Sequence, residues 1–480
     1  MPYETVIGIE VHAQLLTKSK MFCGCSSDYM GAPPNTHVCP VCLGMPGVLP
    51  VINRKAVEYT IMTGLALNCQ VPQATKWDRK NYHYPDLPKG YQISQYDLPL
   101  TRDGWLEIDL DGVRKRIGIR RVHLEEDTAK LFHEEGYALV DFNRSGVPLL
   151  EIVSEPDLRS IEEVRQYVTK LRTILRYLGV SSGDMEKGAM RFEVNISLRL
   201  RGGEEYGTRV EIKNLNSFRA VLNSLGHEIE RQKEILQSGG EIEQETMGWD
   251  EVRGVTIPQR SKEYAHDYRY FPEPDLPPLE LKREWIESIK ARLPELPDAK
   301  RERFIQEYGL SEYDAGVLTA EKAVANYFEE CLKHYPHPKE VSNWVTGELF
   351  RLLKSEGIEI EGGKVSPVHL GALLKLVGEG TISSSMAKEV LEESFKTGQE
   401  PRAIVESKGL VQISDAGQLA TVVAQVIKDN PKAVADYLGG KEGALRYLVG
   451  QVMKATKGKA NPSLANELLL KNLKEMAQNI

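Results

Sequence analysis

The chain has 480 residues, 41% hydrophobic and 27% charged, with 61 Lys and Arg against 69 Asp and Glu for a formal net charge of −8. That length exceeds a single core and points to roughly two to four domains. No apolar run approaches the ~18 residues of a membrane helix, and the acidic balance argues against a chain that is a nucleic-acid binder throughout.

The first residues, "MPYETVIGIEVHAQL", start a strand pattern at once, with no basic or apolar leader before it, which predicts a cytoplasmic protein folded from its beginning. Glu10 and His12 stand two apart, so on a strand they share a side, while Ile7, Ile9 and Val11 take the other. Next comes "FCGCSSDYMGAPPNTHVCPVCLG", with Cys23, Cys25, Cys39 and Cys42 in two close pairs. In a reducing compartment such pairs suit a closed tetrahedral zinc site, or else four free thiols, with His37 a spare ligand. A closed site over 23–42 staples a loop and does no chemistry. Cys69 and Cys331 lie in apolar helical contexts and read as core residues.

Further strand-like runs carry acids. "RVHLEEDTAK" offers Glu125, Glu126 and Asp127; "VPLLEIVSEP" places Glu151 inside an apolar run; "RFEVNIS" aligns Glu193 with Asn195, and "RVEIKN" aligns Glu211 with Lys213. A carboxylate inside a buried strand costs several kcal/mol unless something meets it. Two readings fit. Each acid lies on the solvent face of a half-exposed sheet, or several converge, in which case mutual repulsion calls for a cation such as Mg²⁺, which takes oxygen ligands and keeps positions for water and phosphate. Spacing does not choose between them. No common nucleotide motif helps: "GIEIEGGKV" lacks the Lys-Ser/Thr ending of a phosphate-binding loop, and in "SSMAK" the serines Ser383 to Ser385 read as a helix cap.

Between the strands, "SIEEVRQYVTKLRTILRYLG" and "SFRAVLNSLGHEIERQKEILQSGG" have helical spacing with a Ser start and a Gly stop. "FPEPDLPPLEL" packs four prolines into seven residues and predicts a stiff extended connector. Beyond it the pattern is helical only. The last forty residues, 441–480, hold seven Lys or Arg and three Asp or Glu. That local basic balance is either a solvated helix face or a contact for a polyanion.

"DRKNYHYPDLPKGYQISQ", "RVHLEEDTAK", "FNRSGVPLLEIVSEP", "TRVEIKNLNSF" and "HDYRYFPEPDLPPL", continued by "LPELPDAKRERF", "SEYDAGVLT", "GLVQISD" and "LVGQVMKATKGKANP", closely resemble the B subunits of the tRNA-dependent amidotransferases that act on Glu-tRNA(Gln) and Asp-tRNA(Asn). The resemblance covers essentially the whole chain. It implies an α+β protein: a mixed α/β catalytic cradle over 1–292, an all-α helical domain over 293–405, and a small all-α YqeY-like tail over 406–480 that binds tRNA with it. It implies an ATP-dependent ligase that phosphorylates the side-chain carboxylate of the mischarged tRNA and amidates it with ammonia. The ammonia comes from a glutaminase partner, the A subunit, in a heterotrimer that a small C subunit completes, with no membrane partner. Carried over residue by residue, His12, Glu125 and Glu151 resemble Mg²⁺ ligands, and Glu10, Glu193 and Glu211 those of a second divalent cation. Lys80, Lys89, Glu126 and Asp275 match catalytic positions at an ammonia channel mouth, with a salt-bridge cluster as the alternative. The implied cofactors are ATP, Mg²⁺ and structural Zn²⁺, the four-cysteine loop occurring in some members only. One departure stands out: relatives commonly carry Arg-Cys-Asp-x-Asn where this chain has Arg191-Phe192-Glu193-Val194-Asn195, and Glu reaches one methylene further. Two other readings compete, a non-catalytic tRNA-binding adaptor and a zinc-dependent RNA-binding protein.

Overall fold

The computed structural model describes residues 3–110, 112–261, 268–410, 416–456 and 459–478. Positions 266–267, 411–415 and 457–458, parts of the strings that carry the resemblance, lie outside them. The chain divides into two compact units, Met1–Pro297 and Asp298–Ile480.

The first unit is mixed α/β. In chain order its elements are β1 (Tyr3–Gln14), α1 (Arg54–Ala66), β2 (Ala74–Thr75), β3 (Asp78–Asn81), β4 (Tyr91–Ser94), β5 (Thr101–Leu110), β6 (Val113–Glu126), β7 (Lys130–Glu134), β8 (Tyr137–Asp141) and β9 (Pro148–Ser154). There follow α2 (Ile161–Leu178), β10 (Met190–Leu200), β11 (Val210–Leu215), α3 (Phe218–Gln237), β12 (Glu245–Asp250), β13 (Val255–Ser261), β14 (Phe271–Pro272), β15 (Leu279–Glu280) and α4 (Arg283–Lys290). Eight strands make one sheet in the order β13-β12-β11-β10-β1-β9-β6-β5. All neighbours in it are antiparallel except β11 and β12.

Period-two alternation decides which side of this sheet is dry. Ile7, Ile9 and Val11 of β1, Leu150 and Ile152 of β9, Val122 and Leu124 of β6 and Val194 and Ile196 of β10 are all buried in one core. The same core takes Val57 and Ile61 from α1, Val164, Val168, Leu171 and Leu175 from α2, and Val221 and Leu225 from α3. Those helical positions recur every three or four residues, the stripe a helix presents to a sheet. Both long helices begin where sequence predicts. Ser160 Oγ accepts from Glu163 N–H and Ser217 Oγ from Ala220 N–H, and α2 stops at Gly179, whose φ of 68° suits a residue without Cβ. The opposite face of the sheet therefore receives the polar half of every alternating strand.

The proline-rich stretch is extended, but it is not a free connector. Phe271 and Pro272 pair with Arg79 and Asp78 of β3, and Leu279 and Glu280 pair with Thr75 and Ala74 of β2. Arg79 clamps Glu273 through two hydrogen bonds of 2.7 Å. Proline sits at such edges because it has no N–H to offer a central ladder.

The second unit is helical and has two separate cores. One runs from Phe304 through Phe328, Leu349 and Leu374 to Val405; the other joins Leu419, Val423, Leu448, Val452 and Leu469. Ser383 caps the helix Ser384–Thr397, accepting from Met386 N–H. No helix among the described residues is long and apolar enough to cross a membrane.

An ion network ties two helices of this unit. Glu329, on Lys322–His334, accepts from Lys300 Nζ at 2.6 Å and Arg303 Nη2 at 2.7 Å, both on Pro297–Tyr308. Burial pushes its carboxyl up, but the Lys300 and Arg303 hydrogen bonds outweigh that and hold it below the ordinary value. A carboxyl lowered by folding contributes stability above its unfolded pKa and loses it as pH falls through the lower folded value. Glu329→Gln is therefore expected to remove part of the acid sensitivity of these two helices. Hydrogen exchange of 297–308 and 322–334 at pH 7 and pH 4 checks this; an unchanged pH difference in the variant contradicts it.

Candidate functional site

The polar face of the large sheet is ordered by strand register. One cross-strand row runs Glu193, Glu10, Val153, Arg121, Arg102; the next runs Arg191, His12, Glu151, His123. Glu125 follows on β6 two residues after His123, and Glu211 of β11 lies opposite Asn195 of β10. Five strands thus bring to one face the acids that sequence scatters over two hundred residues, and the convergent reading is the one the fold realises.

Two groups of ligand atoms result. A ring nitrogen of His12 and carboxylate oxygens of Glu125 and Glu151 lie within 4.8 Å of one another, as do oxygens of Glu10, Glu193 and Glu211. The first group is deeply buried, Glu125 at 2% exposure and Glu151 at 5%. Ser94 Oγ donates to Glu125 at 2.5 Å and Gln92 Nε2 at 3.1 Å, so β4 fixes that carboxylate from the side. Glu151 Oε2 lies 3.4 Å from His12 Nε2 and 3.4 Å from His123 Nε2. Burial alone would raise the Glu151 carboxyl, but the His123 and His12 imidazoles beside it hold it well below the usual range. Burial likewise opposes charge on both histidines, and Glu151 overcomes it and raises them. Among the described residues, the Nδ1 atoms of His12 and His123 are buried without a hydrogen-bond partner. Converging acids and an unpartnered imidazole nitrogen fit a divalent cation with mixed oxygen and nitrogen donors.

The second group is softened by Lys213, whose Nζ lies 3.0 Å from Glu193 and 3.4 Å from Glu211. Glu193, with its longer side chain than an Asp would offer, reaches the group. Burial raises its carboxyl, but Lys213 more than offsets this. Among the described residues Glu10 is hydrogen-bonded only by Asn195 Nδ2, at 2.9 Å. Burial, then repulsion from Glu151, Glu193 and Glu211, pushes its carboxyl up to about 7. An acid so disfavoured as an anion is one that a cation stabilises.

The cysteines form a third group, the four sulfurs lying within 4.8 Å of one another. None is in a disulfide, and Cys39 and Cys42 sulfurs are 3.9 Å apart. Sulfurs on a tetrahedral zinc at 2.3 Å stand roughly 3.8 Å apart, so the set is compatible with a structural zinc site. The Cys23 hydrogen bond leads the causes that lower the Cys42 thiol to about 5, making it a ready thiolate. His37 is not in the group; its N–H donates to Asn143 Oδ1 at 2.7 Å. Cys69 and Cys331 are buried core residues.

Lys80, Lys89, Glu126 and Asp275 occupy two places. Lys89 Nζ lies 2.6 Å from Glu126, and Lys89 and Asp275 line a cavity of about 170 Å³ with Phe22, Gly44 and Tyr91. The cysteine loop seats directly on this spot: a Cβ at Gly44 would meet Lys89 Cγ at 2.5 Å. Asp275 faces Arg79 at 3.4 Å. Lys80 stands apart, beside the first acid group. Burial opposes its charge, but Glu125 and Glu151 keep it well above the ordinary value. Sequence reasoning missed His123, although it alternates with Glu125 in "RVHLEED". It also missed Gln92 and Ser94, for which "YQIS" gives no signal.

Residues 5–287 match the family model described as the GatB/GatE catalytic domain, and residues 326–473 match the one described as the GatB domain. The chain is 58% identical to the B subunit of the aspartyl/glutamyl-tRNA(Asn/Gln) amidotransferase of Caldicellulosiruptor saccharolyticus, over 99% of this chain and 100% of that one. It is 56% identical to the B subunit of Carboxydothermus hydrogenoformans, over 99% of each chain, and 56% identical to that of Dehalococcoides mccartyi, over 98% of this chain and 99% of the other.

Proposed function

Because the chain belongs to the GatB family of amidotransferase B subunits, we propose that it activates the side-chain carboxylate of a mischarged Glu-tRNA(Gln) or Asp-tRNA(Asn) with ATP and amidates it with ammonia. The observation that carries this is the pair of ligand groups on one buried polar face, His12, Glu125 and Glu151 beside Glu10, Glu193 and Glu211. A carboxylate resists amide formation because its oxygen leaves poorly. Attack of that oxygen on the terminal phosphoryl group of ATP releases ADP and gives an acyl phosphate; ammonia then displaces phosphate and leaves the amide. Mg²⁺ held by these two groups would neutralise phosphate charge and position the transfer.

The chain's own side chains supply the rest. Ser94 and Gln92 orient Glu125, and His123, outside the ligand group, favours the ionised form of Glu151. Lys80, cationic beside both acids, adds positive charge where phosphate oxygens gather. Lys89 and Asp275, which line a small cavity, and Glu126, paired with Lys89, suit the passage of ammonia along alternating donors and acceptors. The ammonia comes from the glutaminase partner, in a complex completed by the small third chain. The cradle is 1–292, the helical domain 293–405 and the tRNA-binding tail 406–480, where seven Lys or Arg in the last forty residues favour a polyanion and a salt-dependent affinity.

Transamidation with both partner chains, mischarged Glu-tRNA, Mg-ATP and either glutamine or free ammonium is the test. ATP-dependent Gln-tRNA from both nitrogen sources is expected. No product from ammonium, with the charged tRNA bound, would leave the chain a tRNA-binding adaptor.

A further inference from the structure

Several arginines on and around this face are matched to partners. Arg79 clamps Glu273, Arg191 Nη2 reaches Asp127 at 3.1 Å, and Arg144 donates to the carbonyls of Thr128 and Ala129 at 2.8 Å. Arg121 is different. Among the described residues its side chain has no ion pair and no hydrogen bond, and its Nε is shut off from water without an acceptor. Its cross-strand neighbour on β5 is another cation, Arg102. Like charges directly opposite on a sheet destabilise it, and a guanidinium partly removed from water without an anion is costly.

Its position says what is missing. Arg121 shares a row with Glu10 and Glu193, separated from Glu10 by Val153 alone. Two strand spacings put the Glu10 and Arg121 backbones about 10 Å apart. Beside this row a cavity of about 250 Å³ is lined by Glu10, Val153 and Asn195, with Arg120 and Arg209 rather than Arg121 in its wall, and Asn195 Oδ1 is buried without a hydrogen-bond partner among the described residues. Two residues along β6 from Arg121 is His123, against Glu151. The row thus runs from a cluster of acids, across a small side chain, to a guanidinium with no counter-ion among the described residues. We propose that Arg121 binds, through its planar fork, a phosphoryl group of the nucleotide that lies over Val153. A phosphoryl group presents paired oxygens that match such a fork. This rests on the function proposed above. The rival anion, the side-chain carboxylate of the aminoacyl-tRNA, is separated by experiment.

Arg121→Met and Arg121→Lys are made in the full chain and assayed with its partners. Arg121→Met is expected to raise KM for ATP at least ~10-fold and lower amidation kcat on the order of 100-fold. KM for charged tRNA and glutaminase activity should stay within about twofold, because a phosphate contact touches neither. The unfolding midpoint should hold or rise, since an unpaired cation is removed. A rise in KM for charged tRNA instead of ATP, no change in either, or a fall in midpoint with all activities falling together would each overturn the proposal. Arg121→Lys keeps the charge and loses the fork, so an intermediate KM for ATP is expected and a wild-type value would overturn it; this decides the matter if Arg121→Met does not fold. If the wild-type complex shows no ATP-dependent amidation, the proposed function fails separately. Equilibrium binding of inorganic tripolyphosphate with Mg²⁺ then judges Arg121 alone: at least ~10-fold weaker binding in Arg121→Met supports it, and equal or absent binding overturns it.

Discussion

Glu151→Gln is expected to lower the kcat/KM of amidation on the order of 10³-fold or more while leaving the glutaminase activity of the partnered complex near normal. The substitution is isosteric, so it removes charge and leaves shape. Glu151 is the acid that meets both His12 and His123, at 3.4 Å each, and it belongs to the first ligand group. Losing one anionic ligand of a phosphate-handling cation, in a site shut off from water, removes charge stabilisation that other groups there cannot replace. The fold should survive. His12 and His123 are raised by Glu151 against burial, so without it burial wins and both can shed their protons. The unfolding midpoint is therefore expected to move by only a few degrees, on the order of 1 kcal/mol. Amidation with free ammonium, glutaminase assay and thermal unfolding of one preparation measure all three. Full amidation in the variant would remove the acids from the chemistry.

Purified protein is expected to carry one zinc per chain, and Cys42→Ser to lose it. Cys42 is the most enclosed of the four cysteines, and its thiol is lowered, chiefly by the Cys23 hydrogen bond. The loop it anchors has little core of its own. Beyond Met21 and Phe22, which join the main core, it is held chiefly by hydrogen bonds, among them Lys20 N–H to Cys25 O at 2.9 Å, Asn35 N–H to Asp141 Oδ1 at 2.9 Å and His37 backbone N–H to Asn143 Oδ1 at 2.7 Å. Zinc contributes folding free energy directly in such loops. Without it, hydrogen-exchange protection over 19–48 should fall at least ~100-fold while the strands of the large sheet keep theirs. Lys89 loses its support against Glu126 in the same event, so ammonium-dependent amidation should fall more than ATP binding does. Metal analysis and hydrogen exchange decide; a metal-free wild-type chain with an ordered loop would show that the thiols alone suffice.

The composition of local segments already contained much of this molecule. Alternation assigned Ile7, Ile9 and Val11 to one side and Glu10 and His12 to the other, and both long helices were bounded by their serines and glycines, because period and caps are properties of neighbouring residues. The cysteine pairs were legible for the same reason: ligands two or three apart close on one turn. The long strings shared with the B subunits carried the family.

What no local pattern carries is register. Whether Glu151 meets His12 or water depends on which strand lies beside β9 and at what offset, and a shift by one residue would turn every acid to the dry face. Only the order β10-β1-β9-β6 brings Glu193, Glu10, Glu151 and Glu125 together. The proline-rich segment reads as a linker because proline stiffens a chain; its docking on β2 and β3 comes from partners almost two hundred residues away. Gln92 and Ser94 acquire a role only because β4 comes to rest beside β6, so that their side chains reach Glu125. Arg121 illustrates the division most sharply. Its charge, and its place on the side of β6 that also carries His123 and Glu125, follow from the sequence. That it faces Arg102, with no acid at ion-pair distance among the described residues, is decided by strand pairing between distant segments.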